Sequence, residues 1–278
     1  MRVTAIVLCV LCVLCAGCKL VGLGRKPSAE ITGIKVDKFS LEKADLIVTV
    51  NVHNPYAFDL SVEGATHVMS CGGTEVGMCG VQFQDVSIPK NGSKAVDIPV
   101  SVPYADVLRA LPKGSAGKVI SYQASVKLTV NVPKAGPREI VIEGKGELPV
   151  PAAPRISVAQ IKLEQRKLTE MKGVMSVKVQ NVNEFPLDME KMSYALKLAG
   201  ADVAKGDVSQ AVNLEAGGEQ TVEIAISFKP QGMPEDVKTA LSGDKAAYEL
   251  SGSADFGTKW GKITMPFAGK GETALIGP

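Results

Sequence analysis

This chain has few of the side chains that do chemistry. Its 278 residues include two histidines and one tryptophan, and aromatic residues make up 5%. So little imidazole leaves small scope for metal binding or general-base catalysis. No G-x-S-x-G elbow and no H-E-x-x-H pair occurs, so the usual signatures of serine hydrolases and zinc proteases are missing. G-S-A-G-K at 114–118 faintly echoes a phosphate loop. It lacks the leading glycine, however, and has Val119 where a magnesium-binding Ser or Thr belongs. Charge of one sign is also lacking. Lys plus Arg number 31 against 29 Asp plus Glu, a formal +2, whereas a nucleic-acid partner calls for a basic stripe. The expectation is a protein that is not an enzyme, with no catalytic residues, no metal, no cofactor and no nucleic-acid partner.

Long apolar runs are scarce as well. The one at the start, Val3 to Gly17, has 15 residues, short of the roughly 20 a membrane span needs. With Arg2 before it and L-C-A-G-C at its end, it reads as an export signal. The end resembles the bacterial lipobox, with Ala16 and Gly17 preceding Cys18, although Cys15 stands where Leu is usual. The implied layout is a signal peptide over 1–17, lipid on Cys18 and a tether over 18–27. Such a chain is moored by lipid to a membrane of the cell envelope. Lys19 rather than Asp follows the anchor, which points to the periplasmic face of the outer membrane. Cys9, Cys12, Cys15 and Cys18 mimic an iron–sulfur spacing. The residues between them are Val and Leu, with no polar loop to support a cluster.

What the chain has in quantity is alternating apolar sequence, and it has it twice. Hydrophobic residues make up 45% and charged residues 22%, the balance of a folded protein. Residues 28–86 align with 155–213 without gaps, so that V-N-V-H-N-P-Y-A-F-D-L falls on V-K-V-Q-N-V-N-E-F-P-L. After one deletion, K-N-G-S-K-A-V-D-I-P-V (90–100) lies over A-G-G-E-Q-T-V-E-I-A-I (216–226), and G-K-G-E recurs at 144–147 and 269–272. Two units follow, 28–148 and 155–278, joined by P-V-P-A-A-P at 149–154, a linker stiffened by proline.

Period-two alternation over Leu46, Val48, Val50 and Val52, and again over Met175, Val177 and Val179, means half-buried strands. Gly72-Gly73, Ala199-Gly200, Asn91-Gly92 and Gly217-Gly218 mark turns read as hairpins. The fold class is all-β: two tandem antiparallel β-sandwiches of immunoglobulin or fibronectin-III type, each with one short helix, near Tyr104–Leu111 and Pro234–Leu241. Asn54-Pro55 breaks an apolar run, and the second unit keeps Asn181 but has Val182 for the proline. Asn tolerates left-handed backbone and can bond its own main chain. Asn54 and Asn181 are therefore expected as bulges or corners that redirect the strand, so that Phe58 and Leu60 face the core in the next segment.

These residues together resemble the type-2 late-embryogenesis-abundant family, whose unit is also called the water-stress and hypersensitive-response domain. The carriers are Asn54, Pro55, Phe58 and Leu60, then Asn181, Phe185 and Leu187, with the I-P-V-S-V-P-Y run at 98–104 and both K-G-E endings. The resemblance implies a folded β-sandwich per unit, no catalysis, and a role in desiccation or stress tolerance by binding stressed proteins or membrane surfaces. Two alternatives stand beside it: a lipid or small apolar ligand carrier, and a scaffold of an envelope complex through an edge strand. Each histidine meets another residue in the opposite copy, His53 against Gln180 and His67 against Tyr194, so both are expected at polar surface or rim positions. Cys71 and Cys79 flank a hairpin turn. In an exported protein they could form a disulfide contributing about 2.5 kcal/mol, or stay as two buried thiols.

Overall fold

A computed structural model describes residues 25–167 and 169–277, with the side chains of residues 77–79 outside that description. The first unit contributes β1 (Ser28–Phe39), β2 (Lys43–Asn54), β3 (Leu60–Cys71), β4 (Thr74–Ile88), β5 (Gly92–Pro103), α1 (Tyr104–Ala110), β6 (Val119–Val132) and β7 (Gly136–Pro149). The second repeats that order. It has β8 (Arg155–Lys167), β9 (Glu170–Gln180), β10 (Leu187–Leu198), β11 (Ala201–Val208), β12 (Val212–Leu214), β13 (Glu219–Phe228), α2 (Glu235–Ser242), β14 (Lys245–Thr258) and β15 (Gly261–Ile276). One long fourth strand in the first unit corresponds to the pair β11 and β12 in the second.

In the first unit, a three-stranded sheet of order β1-β2-β5 packs on a four-stranded sheet of order β4-β3-β6-β7. All its ladders are antiparallel. Alternation builds the core: Leu46, Val48, Val50 and Val52 of β2 meet Leu60 and Val62 of β3 and Val126, Leu128 and Val130 of β6, all buried. Burying each such side chain contributes roughly 1.5–3 kcal/mol. β1 is bulged between Ile31 and Gly33 and between Val36 and Lys38. β8 is bulged at the equivalent places, between Val158 and Gln160 and between Leu163 and Gln165. The duplication thus extends to irregularities that bend the strand.

Two of the four turns read as hairpins do close hairpins, Gly72-Gly73 and Ala199-Gly200, with positive φ throughout. The other two do not. Asn91-Gly92 leads from β4 to β5 and Gly217-Gly218 from β12 to β13, and neither strand pair shares a ladder. Each of these turns carries the chain from one layer to the other. Both helices follow this crossing. α2 begins after Pro234 with Glu235 and Asp236 in its first turn, which suits the positive end of the helix dipole. Val237 and Leu241, one turn apart, are its buried side chains.

The repeated K-G-E has a packing reason. A Cβ on Gly146 would stand 2.6 Å from the Tyr122 hydroxyl, and one on Gly271 3.2 Å from the Tyr248 ring. The glycine leaves room for a cross-strand tyrosine on β6 or β14.

The two units differ at one edge. In the second, Ala274, Leu275 and Ile276 of β15 pair in parallel with Gln160, Ile161 and Lys162 of β8. This fuses its two layers into a single sheet of order β11-β10-β14-β15-β8-β9-β13. In the first unit β1 and β7 share no ladder, and β1 ends its sheet.

Candidate functional site

The asparagines that interrupt the strands are wholly buried, at 0% exposure each. The Asn54 amide donates to the carbonyls of Phe58 (2.8 Å), Ile88 (3.2 Å) and Pro89 (3.1 Å), and its Oδ1 accepts from Tyr56 N–H (2.9 Å). Asn181 repeats the set on Phe185 (2.8 Å), Leu214 (3.2 Å), Glu215 (3.0 Å) and Asn183 N–H (2.9 Å). Each asparagine ties the loop after β2 or β9 to the layer crossing before β5 or β13. Neither uses left-handed backbone; main-chain bonding alone defines the corner. Leu60, Leu187 and Phe185 are buried, whereas Phe58 is half-buried and stacks on Tyr56 at 5.1 Å. Phe185 meets Trp260 edge-on at 5.1 Å. Pro55 is half-buried beside this corner. Asn54 and Asn181 present no free polar group to a ligand.

The proline-rich joint is clamped between the units. β7 runs through Pro149, so the connection proper is 150–154. Val150 N–H donates to Lys118 O (2.9 Å), and Gly117 N–H donates to Val150 O (2.7 Å). The Asn183 side chain brackets Ala152, accepting from its N–H (2.8 Å) and donating to its C=O (2.9 Å). Glu184 N–H reaches Gly117 O (2.7 Å). Gly117 has φ +86°, and a Cβ there would lie 2.8 Å from Val182 O. The 114–118 segment is therefore an inter-unit contact. It joins the helix end of the first unit to the asparagine end of the second, and the units follow head to tail.

Exposure separates the two copies along β1. Ile31, Ile34 and Val36 are half-buried. Their counterparts Val158, Ile161 and Leu163 are buried, at 5%, 0% and 2%. The difference falls at the edge that β15 closes in the second unit and nothing pairs with in the first. Beside the start of β1, a cavity of about 530 Å³ is lined by Lys26, Pro27, Tyr56, Arg138, Ile140 and Val141.

Among titratable groups, His67 departs from the surface or rim position expected of it. The bulge between Val62 and Gly64 shifts the alternation of β3, and His67 turns inward at 5% exposure with Nδ1 unpartnered. Burial lowers its pKa. His53 is exposed, with Nδ1 3.1 Å from Ser93 Oγ. Cys71 is a buried free thiol whose pKa burial pushes up. The side chain of its expected partner Cys79 lies outside the described residues. In the backbone register Cys79 stands opposite His67, and Cys71 opposite Thr74. That is four residues along β3, roughly 13 Å, so a disulfide needs β4 to slide against β3. Cys18 also lies outside the described residues. Among the described residues, no group of three His, Cys, Asp or Glu is placed to hold a metal ion, and no helix is long and apolar enough to cross a membrane.

A depression of about 500 Å³ on the outer face of the four-stranded sheet is lined by Ser70, Glu75, Gln123, Glu143 and Lys145.

The family model described as late embryogenesis abundant protein, LEA_2, matches residues 49–146 and again 176–271, together well over half of the chain. The chain belongs to the LEA_2 family. Each match begins within the strand that ends at or just before the buried asparagine and ends at the second glycine of the repeated G-K-G-E motif. This LEA_2 chain is similar to the Arabidopsis thaliana protein named "Probable desiccation-related protein LEA14", 26% identical over 126 residues, which are 45% of this chain and 83% of the relative. It is also similar to a desiccation protectant protein Lea14 homolog of Glycine max, at 25% over 126 residues, 45% of this chain and 82% of that one. A solution structure of an Arabidopsis thaliana protein aligns at 25% identity and TM-score 0.39 over 46% of this chain and 84% of that one. The aligned stretch of each of these curated relatives, 126 residues, is about the length of one LEA_2 unit here.

Proposed function

We propose that this protein is a non-catalytic, lipid-anchored envelope protein that protects proteins or membrane surfaces during water loss or related stress. One observation carries the reading. The two copies keep the same buried brace and core, while the side chains capable of chemistry differ between them: His67 against Tyr194, Cys71 against Leu198, His53 against Gln180. What duplication preserves is a stable surface. The desiccation-related names of relatives over one unit support the same direction. In this reading lipid on Cys18 holds the units at the membrane, and strand faces and loops cover apolar patches that drying exposes. Recovery of a labile enzyme after drying, with and without the purified protein, tests it; equal losses count against it. Release of a Cys18→Ala chain from the membrane fraction tests the anchor.

A second reading is favoured by the unpaired outer edge of β1: a scaffold that holds an envelope partner through strand pairing. Cross-linking in intact cells, followed by identification of residues joined to the first unit, checks it.

A further inference from the structure

The duplicated chain contains its own control for the open edge of the first unit. In the second unit Leu275 stands opposite Ile161, and its N–H turns the other way, to Asp244 O at 2.8 Å. Alternate residues of a strand direct their N–H and C=O to opposite sides, so Ala274 and Ile276 are the residues that address β8. Aligned on the shared G-K-G-E, their counterparts in the first unit are Pro149 and Pro151. Val150, the counterpart of Leu275, keeps both its burial (1% exposed) and its matching bond to Lys118 O. Proline has no N–H to donate. Two substitutions therefore remove the ladder donors and leave the inward residue in place. They lead the chain off into the junction.

The consequence falls on β1. Gly33, Ile34 and Lys35, counterparts of Gln160, Ile161 and Lys162, have no ladder partner on their outer side among the described residues, although β7 comes close to β1 near Ile31, where a Cβ on Gly144 would stand 2.7 Å from the Ile31 side chain. The aliphatic side chains around them stay half-buried. An edge of this kind, with unpaired backbone and an apolar stripe, is a template for strand addition.

We propose that the outer edge of β1 over Gly33–Lys35 accepts an extended segment of a partner protein whose pairing residues are uncharged, largely apolar and free of proline. The segment joins as a parallel strand, as Ala274–Ile276 joins β8. This deepens the scaffold reading by fixing the edge, the strand direction and the chemistry of the partner.

The probe is a labelled peptide with the sequence of residues 270–277, K-G-E-T-A-L-I-G, titrated onto the full chain. Its control, K-G-E-T-P-L-P-G, copies the two prolines of the first unit. Saturable binding is expected, weakened at least tenfold by the prolines, with amide exchange at Ile34, whose N–H points outward, slowed at least tenfold in the complex. Equal binding of both peptides, absence of saturable binding, or protection confined to other strands overturns the proposal. So does slow exchange at Ile34 in the unliganded chain, which means the chain covers its own edge. So does displacement of the peptide by phospholipid vesicles with lipid retained in the native mass spectrum, which assigns the seam to lipid. A cellular cross-link to the first unit that avoids β1 leaves the scaffold reading standing while this edge fails.

Discussion

Replacing Asn181 by alanine separates a structural brace from a ligand-binding residue. The change strips partners from the carbonyls of Phe185, Leu214 and Glu215 and from the N–H of Asn183. The bonds to Phe185, Leu214 and Asn183 are buried, whereas that to Glu215 is only partly so and can exchange for water. At about 1–2 kcal/mol for each buried group left unsatisfied, the loss comes to about 4 kcal/mol. That is a large fraction of the roughly 5–15 kcal/mol that holds a domain folded. Denaturant unfolding of the full chain reads it directly, with Thr221→Ala on the exposed face of β13 expected to stay within about 0.5 kcal/mol. Asn181→Asp adds a second measurement. The carboxylate would face three carbonyls, so its pKa rises above the unfolded value near 3.9. Between those two values the folded state holds a proton that the unfolded state has lost, and stability falls as pH increases through that window. A loss below about 1 kcal/mol for the alanine variant, or an aspartate variant equally stable at pH 4 and pH 7, refutes the brace.

Three further outcomes follow from other contacts. The junction couples the units, so one calorimetric transition is expected; Gly117→Ala, which costs about 1–2 kcal/mol for left-handed backbone alone, should split it in two. Two transitions in the parent chain would disprove that coupling. Because burial holds the folded pKa of His67 below its ordinary 6.5, the unfolded chain takes up a proton first as pH drops through 6.5. Stability should fall there, and His67→Leu should abolish the dependence in thermal melts at pH 5 and pH 7.5. Cys71, buried with a raised pKa, should be alkylated at least tenfold more slowly in the native chain than in denaturant at pH 7.5; equal rates would place it at the surface.

Much of the architecture was legible in one dimension. Period-two alternation and the internal repeat imply paired sandwich units because side chains alternate between faces whatever the partner strand. The helices at 104–110 and 235–242 sit where the sequence places them. Asn54 and Asn181 stand out because one short polar residue in an apolar run must satisfy its own bonds. Turn residues were less telling. Gly and Asn set a backbone conformation but not which layer the next strand enters, so two layer crossings look like hairpins.

Composition, pattern and repetition determined that this chain folds as two β-sandwich units, each with an asparagine that redirects a strand, since those features depend on local chemistry and strand period. Only the tertiary structure decided that His67 lies inside, because a bulge reverses which face it occupies. The same holds for the 114–118 loop as half of a clamp, and for one sandwich edge closed and the other open. Those outcomes turn on which backbone groups meet across segments far apart in sequence; at the open edge, two prolines remove the donors while Val150 stays as buried as Leu275.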